Sequence, residues 1–133
     1  MNVFHITHTD LNHDSRIIKE VNGLCENFHE YQTFVFGIKR ESVPKVPVYK
    51  KNVVVLNTNL LTRKLTLFTD KLKHLFIYLE FLFRCIYKLV KTRPVIIHCH
   101  DTTALSIGYI YSLFSDASLI YDAHELESNK NNQ

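Results

Sequence analysis

The segment from Pro94 to Glu127 constrains the fold of this chain more than any other part of it. An apolar run, Val95–Ile97, ends in His98-Cys99-His100-Asp101, and a second run, Leu119–Tyr121, ends in Asp122-Ala123-His124-Glu125. Two strands joined by a helix form a βαβ unit, which builds a parallel sheet. Parallel strands carry ligand-binding loops at their carboxyl ends. Because both ends here combine imidazole with carboxylate, the pattern predicts a polar site at this edge.

Hydrophobic periodicity extends this unit to a doubly wound α/β fold. Strands are predicted at residues 2–7, 31–38, 51–56, 95–98 and 118–121, and helices at residues 16–28, 62–91 and 102–114. Right-handed crossovers then give a Rossmann-like parallel sheet of about five strands in the order 3-2-1-4-5, with helices on both faces. The order reverses between the first and fourth strands, so we expect their loops to flank one crevice.

Length and composition favour a single domain whose cysteines are reduced thiols. A chain of 133 residues has room for one core, and a formal charge of +3 does not indicate a nucleic-acid binder. The three cysteines lack metal-type spacing, and the amino terminus lacks the pattern of a signal peptide, which together favour the cytoplasm. We expect the domain to span residues 1–127, and the polar residues 128–133 to mark a truncation point.

The loop after the first strand carries polar side chains suited to hydroxyl groups. His8, Thr9, Asp10 and His13 alternate donors and acceptors, as sugar recognition requires. No glycine lies between Met1 and Asn22, which argues against close backbone approach to a dinucleotide. Asp14 is placed to cap the next helix, and Arg16 is a candidate either for an anion contact or for an ion pair that fixes the loop.

Two histidines at the end of the fourth strand leave two interpretations open. His98 and His100 are two residues apart and therefore share a face of the strand. With Asp101, Asp122 and His124 they could form a metal shell, as in a small metal-dependent hydrolase. Alternatively, His98 is half-buried and hydrogen-bonded within the sheet, and His100 is the better functional candidate.

The segment 62–91 is predicted to be one long helix that mainly covers the sheet. The following apolar residues recur on one predicted face: Leu72, Leu75, Phe76, Leu79, Leu82, Phe83, Ile86 and Leu89. Glu80 and Arg84 are spaced to pair across one turn. Charged residues interrupt every candidate transmembrane span of about 20 residues. Beyond its core role, a basic and aromatic fringe of this helix could rest on a lipid surface.

Three motifs in their order resemble the N-terminal domain of family 4 glycosyltransferases, which are retaining enzymes of the GT-B architecture. These are Asp14-Ser15-Arg16-Ile17, the strand end Ile97-His98-Cys99-His100-Asp101, and Tyr121–Glu127. The resemblance spans nearly the whole chain. It implies a cleft between two Rossmann-like domains, in which the N-terminal domain binds the acceptor and the C-terminal domain binds the nucleotide-sugar donor.

Site roles follow from the resemblance by position. His8, Thr9, Asp10, His13, Asp14 and Arg16 would line the acceptor side, and Asp122, His124 and Glu125 would border the cleft. His100 and Asp101 would lie near the reacting centre as the catalytic pair. The resemblance implies no metal and no cofactor besides the nucleotide-sugar co-substrate. The acceptor would be a glycan or a lipid-linked molecule, and the protein would be cytoplasmic or peripheral at the inner face of the cell membrane.

Two features depart from the family pattern. Many members carry glycines in the first loop, where this chain has Thr9-Asp10-Leu11-Asn12, and the donor-binding domain with its paired glutamates is absent from these 133 residues. The chain alone is therefore expected to be inactive. Besides the metal-dependent hydrolase, a non-catalytic flavodoxin-like binding module remains an alternative.

Overall fold

A five-stranded parallel sheet forms the centre of the computed structural model, which describes residues 1–39, 49–66 and 69–123. The described residues form five strands and three α-helices in this order: β1 Asn2–Asp10, α1 Ser15–Asn27, β2 Gln32–Ile38, β3 Val53–Thr58, α2 Asp70–Thr92, β4 Ile96–Cys99, α3 Thr102–Ser112 and β5 Ser118–Tyr121. A single 3₁₀ turn, Leu61–Lys64, precedes α2. The strand order is β3-β2-β1-β4-β5, which confirms the predicted doubly wound topology.

The central strand β1 is buried on both faces because helices cover both sides of it. Phe4 and Ile6 pack with Phe81 of α2 on one side, which also receives residues of α3. On the other side, α1 places Ile17, Val21 and Cys25 against the sheet. Successive side chains of a strand point to opposite faces. His5 therefore points toward the α1 side, whereas His8 points toward the α2 side.

Helix α2 begins later than predicted, and its buried face overlaps the predicted one only in part. It begins at Asp70 rather than at residue 62, and its buried residues are Phe81, Cys85 and Leu89. The chain leaves the helix at Arg93, whose left-handed φ of 47° ends the hydrogen-bond ladder just before Pro94. The predicted Glu80–Arg84 pair is confirmed at 2.8 Å.

Much of the face predicted to be core is exposed. Six large apolar residues of α2 define what we call the apolar face of this helix: Leu72, Leu75, Phe76, Phe83, Tyr87 and Val90. The side chain of Phe83 is the most open of them, with 68% of its surface accessible. The prediction that Leu72, Leu75, Phe76 and Phe83 mainly cover the sheet was therefore wrong. No described helix is both long and apolar enough to cross a membrane.

Candidate functional site

Asp101 holds together the two loops that border the predicted crevice. Its Oδ2 accepts a hydrogen bond from the amide of His8 at 2.6 Å and another from the Thr7 hydroxyl at 3.3 Å. Its Oδ1 accepts from the amide of Ala104 at 2.7 Å and so caps α3. The strand ends of β1 and β4 are thus fixed relative to each other where the strand order reverses. These three hydrogen bonds direct the Asp101 carboxylate to the loops that it holds in place, and not into the crevice.

The loop after β1 is held by its own polar groups and by one buried apolar anchor. Asp14 caps α1 by accepting from the amides of Arg16 and Ile17, and its other oxygen accepts from Thr9. The guanidinium of Arg16 lies 3.9 Å from Asp14, an ion pair consistent with loop fixation. Leu11 is fully buried beneath the loop. Thr9, Asp14 and Arg16 therefore lie together at the predicted edge.

Asp10 and His13 form the turn of the same loop. The Asp10 side chain is mostly buried, accepts from the amide of Asn12 at 3.1 Å and lies 3.7 Å from the exposed imidazole of His13. The backbone carbonyl of Asp10 also accepts from the amides of His13 and Asp14. Asp10 thus shapes the turn, and His13 is the more accessible of the two.

His8 lies at the carboxyl end of β1 with its ring perpendicular to that of Phe81, at a centroid distance of 5.0 Å. Burial lowers the pKa of His8, and the nearby Arg63 adds to this effect, while Asp101 opposes it. A neutral imidazole can donate one hydrogen bond and accept another. His8 is only half-buried and is therefore available to a hydroxyl-bearing ligand at this edge.

His100 lies at the same edge, but its side chain points to the α1 side of the sheet and is almost completely buried. It shares a hydrogen bond of 2.9 Å with His5, between Nε2 of His100 and Nδ1 of His5. His8 and His100 are therefore neighbours in backbone position, but their side chains lie on opposite faces of the sheet. Burial leaves the imidazole of His100 little access for the predicted contact with a sugar in the crevice.

Three histidines and one glutamate form a compact group that we call the histidine cluster: His5, Glu20, His98 and His100. One ligand atom from each residue lies within 4.8 Å of the others. His98 Nδ1 is 3.0 Å from Glu20 Oε1, and His100 Nδ1 is 3.9 Å from Glu20 Oε2. The strand pairing of His5 with His98 explains why a histidine from each central strand shares this face.

Burial and mutual repulsion keep two of these histidines neutral. Desolvation, followed by the neighbouring His100 and His98, lowers the pKa of His5 to about 3. Desolvation and His98 likewise lower the pKa of His100. The hydrogen bond from His98 holds the pKa of Glu20 below its usual value, so this carboxylate stays ionised. The cluster therefore combines the neutral imidazoles of His5 and His100 with the negative charge of Glu20.

Sequence reasoning found only half of this cluster. It identified His98 and His100, but it missed His5 and Glu20 and joined the pair to Asp101, Asp122 and His124 instead. Asp101 is turned toward His8 and Thr7 and away from the pair that the alternative metal shell would have joined it to. Asp122 follows β5 and donates its amide to the Cys99 carbonyl. His124 and Glu125 lie outside the described residues.

Two cavities bracket the sheet at different places. One of about 200 Å³ lies beside the histidine cluster and is lined by His5, His98 and apolar residues including Leu24, Phe28 and Ile120. The larger, of about 610 Å³, lies between the ends of α2 and α3 and includes Val90, Arg93 and Phe114. It lies at the amino ends of β4 and β5, away from the loops described above.

Comparisons with known proteins support the fold of the chain through solved structures and not through sequence. No family model and no curated protein matches the chain by sequence. Among solved structures, a UGT transferase from Siraitia grosvenorii in complex with UDP is similar over 90% of this chain and 27% of its own, with 6% identity and a TM-score of 0.57. Sucrose-phosphate synthase from Thermosynechococcus elongatus is similar over 91% of this chain and 32% of its own, with 13% identity and a TM-score of 0.62.

The chain therefore spans about a third or less of the length of these two structures. Their similarity, together with the five-stranded parallel sheet in the order 3-2-1-4-5, shows a Rossmann-like α/β fold of the kind found in GT-B glycosyltransferases.

Proposed function

We propose that this chain is the acceptor-binding half of a retaining family 4 glycosyltransferase, which transfers a sugar from a nucleotide-sugar donor to a glycan or lipid-linked acceptor. One observation carries the proposal: Asp101 joins the loops after β1 and β4 at the point where the strand order reverses. This is the edge at which open α/β sheets bind ligands. The likeness in fold to two sugar-handling enzymes supports the same assignment.

In this proposal the acceptor contacts come from the carboxyl end of β1 and the loop that follows it. His8 presents a neutral, half-buried imidazole, and Thr9 and His13 add exposed polar groups. Asp10, Asp14 and Arg16 hold the loop in shape through the contacts described above. Asp122, at the end of β5, borders the same edge. The donor would be bound by a second Rossmann-like domain, and the 133 residues alone would not transfer sugar.

The test begins with the reading frame beyond Gln133 and uses the complete product that it encodes. We expect a second Rossmann-like domain and transfer of labelled sugar from a nucleotide-sugar panel. In that product, His8→Ala should lower kcat/KM for the acceptor at least tenfold, a loss of about 1.4 kcal/mol of transition-state binding. His29→Ala, which removes an exposed histidine after α1, is the matched control. Equal activity of the two variants would contradict the role of His8 in acceptor binding. If no sugar were transferred from any donor, the proposed glycosyltransferase activity would be wrong.

The apolar face of α2 supports a finer proposal, that the protein rests on a lipid surface while it binds a lipid-linked acceptor. Leu75 and Phe83 of that face are exposed, and Lys73, Lys88 and Lys91 extend from the same helix. Amphipathic helices with apolar and basic residues bind anionic lipid interfaces through both effects. The occupant proposed is therefore an anionic membrane surface.

Vesicle sedimentation tests this contact. The chain should bind vesicles containing phosphatidylglycerol more strongly than vesicles of phosphatidylcholine alone. Leu75→Ser combined with Phe83→Ser should weaken this binding at least tenfold, whereas Tyr109→Ser, at an exposed aromatic position of α3, should leave it unchanged. Binding that survives the double variant would exclude the apolar face as the contact.

A further inference from the structure

We propose that the histidine cluster is a binding site for a divalent transition metal, most fittingly Zn²⁺, with a structural role. The ligands are one nitrogen from each of His5, His98 and His100 and one oxygen of Glu20. Imidazole and carboxylate are both common zinc ligands, and a closed shell of four protein ligands is typical of structural zinc sites. This inference does not depend on the sugar-transfer proposal.

The geometry of the cluster is close to that of a tetrahedral shell. Metal–ligand bonds of about 2.0–2.1 Å place tetrahedral ligand atoms roughly 3.4 Å apart. Here the four ligand atoms lie within 4.8 Å of one another, and Glu20 lies 3.0 Å from His98 and 3.9 Å from His100. The Glu20 side chain is more than a third exposed, so it has the freedom to close the remaining gap.

The hydrogen bond between His5 and His100 shows how closely two of the ligands already approach each other. Nδ1 of His5 and Nε2 of His100 lie 2.9 Å apart. A neutral imidazole has one lone-pair nitrogen, so a metal bound by both rings would replace this hydrogen bond. The adjacent cavity of about 200 Å³, lined by His5 and His98, offers an entry path.

The charge of the cluster also suits a cation. An imidazole binds a metal through a neutral ring nitrogen, and Glu20 supplies one carboxylate, so a divalent ion bound by all four ligands would meet one anionic and three neutral donors. Bound there, the metal would link β1, β4 and α1, because His5, His98 and Glu20 belong to these three elements. Its expected effect is therefore stabilisation of the fold rather than catalysis at the crevice.

Metal titration of the purified full chain tests the site. After treatment with a chelator and its removal, we expect one Zn²⁺ to bind per chain in a competition assay with a chromophoric chelator, and the melting temperature to rise with added Zn²⁺. Co²⁺ in place of Zn²⁺ should give the visible absorption bands of a tetrahedral nitrogen and oxygen site. Binding at less than stoichiometric levels, or an absorption spectrum of hexa-aqua Co²⁺, would overturn the proposal.

Variants separate the cluster from other histidines. Glu20→Gln changes a partly exposed residue of α1, so the fold should survive, and the affinity for Zn²⁺ should fall at least tenfold. His98→Gln should lower the affinity further. His29→Ala and His74→Ala remove exposed histidines outside the cluster and should bind Zn²⁺ like the unaltered chain. If the controls lose Zn²⁺ and the cluster variants retain it, the metal binds elsewhere and the assignment is wrong.

Discussion

Gly108 is the position where α3 approaches the sheet most closely, and replacing it by alanine should destabilise the protein. A Cβ at Gly108 would lie 2.6 Å from Sγ of Cys99 and 2.7 Å from Cδ1 of Leu119. Ordinary contacts of a Cβ are 3.4–4 Å, so these two neighbours would have to move by about 1 Å. Gly108→Ala therefore overpacks the interface between α3 and the β4–β5 pair.

The magnitude follows from two opposing effects. Overpacking of a filled core costs about 1–3 kcal/mol, whereas replacing a helical glycine by alanine gains about 0.5–1 kcal/mol. We expect Gly108→Ala to lower the free energy of unfolding by about 1 kcal/mol. Gly23 provides the matched control, because it is also helical and a Cβ there would meet no atom within 4 Å. Gly23→Ala should raise the free energy of unfolding by about 0.5–1 kcal/mol.

Urea unfolding followed by circular dichroism measures both variants. The two free energies of unfolding should differ by about 2 kcal/mol, with the unaltered chain between them and with similar m-values. Adding Cys99→Ala to Gly108→Ala removes one of the clashing atoms, so the double variant should lose less than the sum of its parts. A Gly108→Ala variant at least as stable as the unaltered chain would refute the close packing at this glycine.

Two further changes test the contacts that fix α2 and the crevice loops. Partial burial alone would raise the pKa of Glu80, but hydrogen bonds from Thr62 and Leu61 together with Arg84 hold it below the usual 4.5. The folded state thus favours the ionised form of Glu80. The stability that this carboxylate contributes is therefore present above pH 4.5 and is lost as the pH falls through the lowered pKa of the folded state. Glu80→Gln should therefore be less stable than the unaltered chain by about 1–2 kcal/mol at pH 7. In thermal melts this difference should shrink near pH 4. A difference that does not depend on pH would contradict a stabilising role of the ionised Glu80 carboxylate. Asp101→Ala removes the cap of α3 and the hydrogen-bond partner of the His8 amide. It should lower the free energy of unfolding in urea by about 2–4 kcal/mol, whereas the control Asp116→Ala, at an exposed position, should lower it by less than about 0.5 kcal/mol. Equal losses in the two variants would show that Asp101 does not join the loops.

The fold was predictable because its signals are local and its handedness is general. Strand patterns of β-branched and aromatic residues, the cap Asp14, and the right-handed rule for crossovers were enough to predict the order β3-β2-β1-β4-β5. Each of these depends on neighbours in the chain or on a rule that holds for every parallel sheet. The structure therefore confirmed the architecture.

The buried face of α2 was not predictable from periodicity, because this helix carries apolar residues on more than one side. Phe81, Cys85 and Leu89 face the sheet, while Leu75 and Phe83 are exposed. A hydrophobic stripe identifies the core-facing side only when the opposite side is polar. Here the position of the sheet, and not the pattern, decides which stripe is buried.

The sequence by itself determined which strands are neighbours and that histidines end two of the segments at the sheet's edge. Only the tertiary structure decided which side chains meet: the register that pairs His5 with His98 and the position of Glu20 on α1 create the histidine cluster. His8 follows three residues after His5 on the same strand, and its side chain therefore points to the other face of the sheet. Side-chain direction alternates with every residue of a strand, so a site shared by two strands and a helix depends on register and docking, which no single segment encodes.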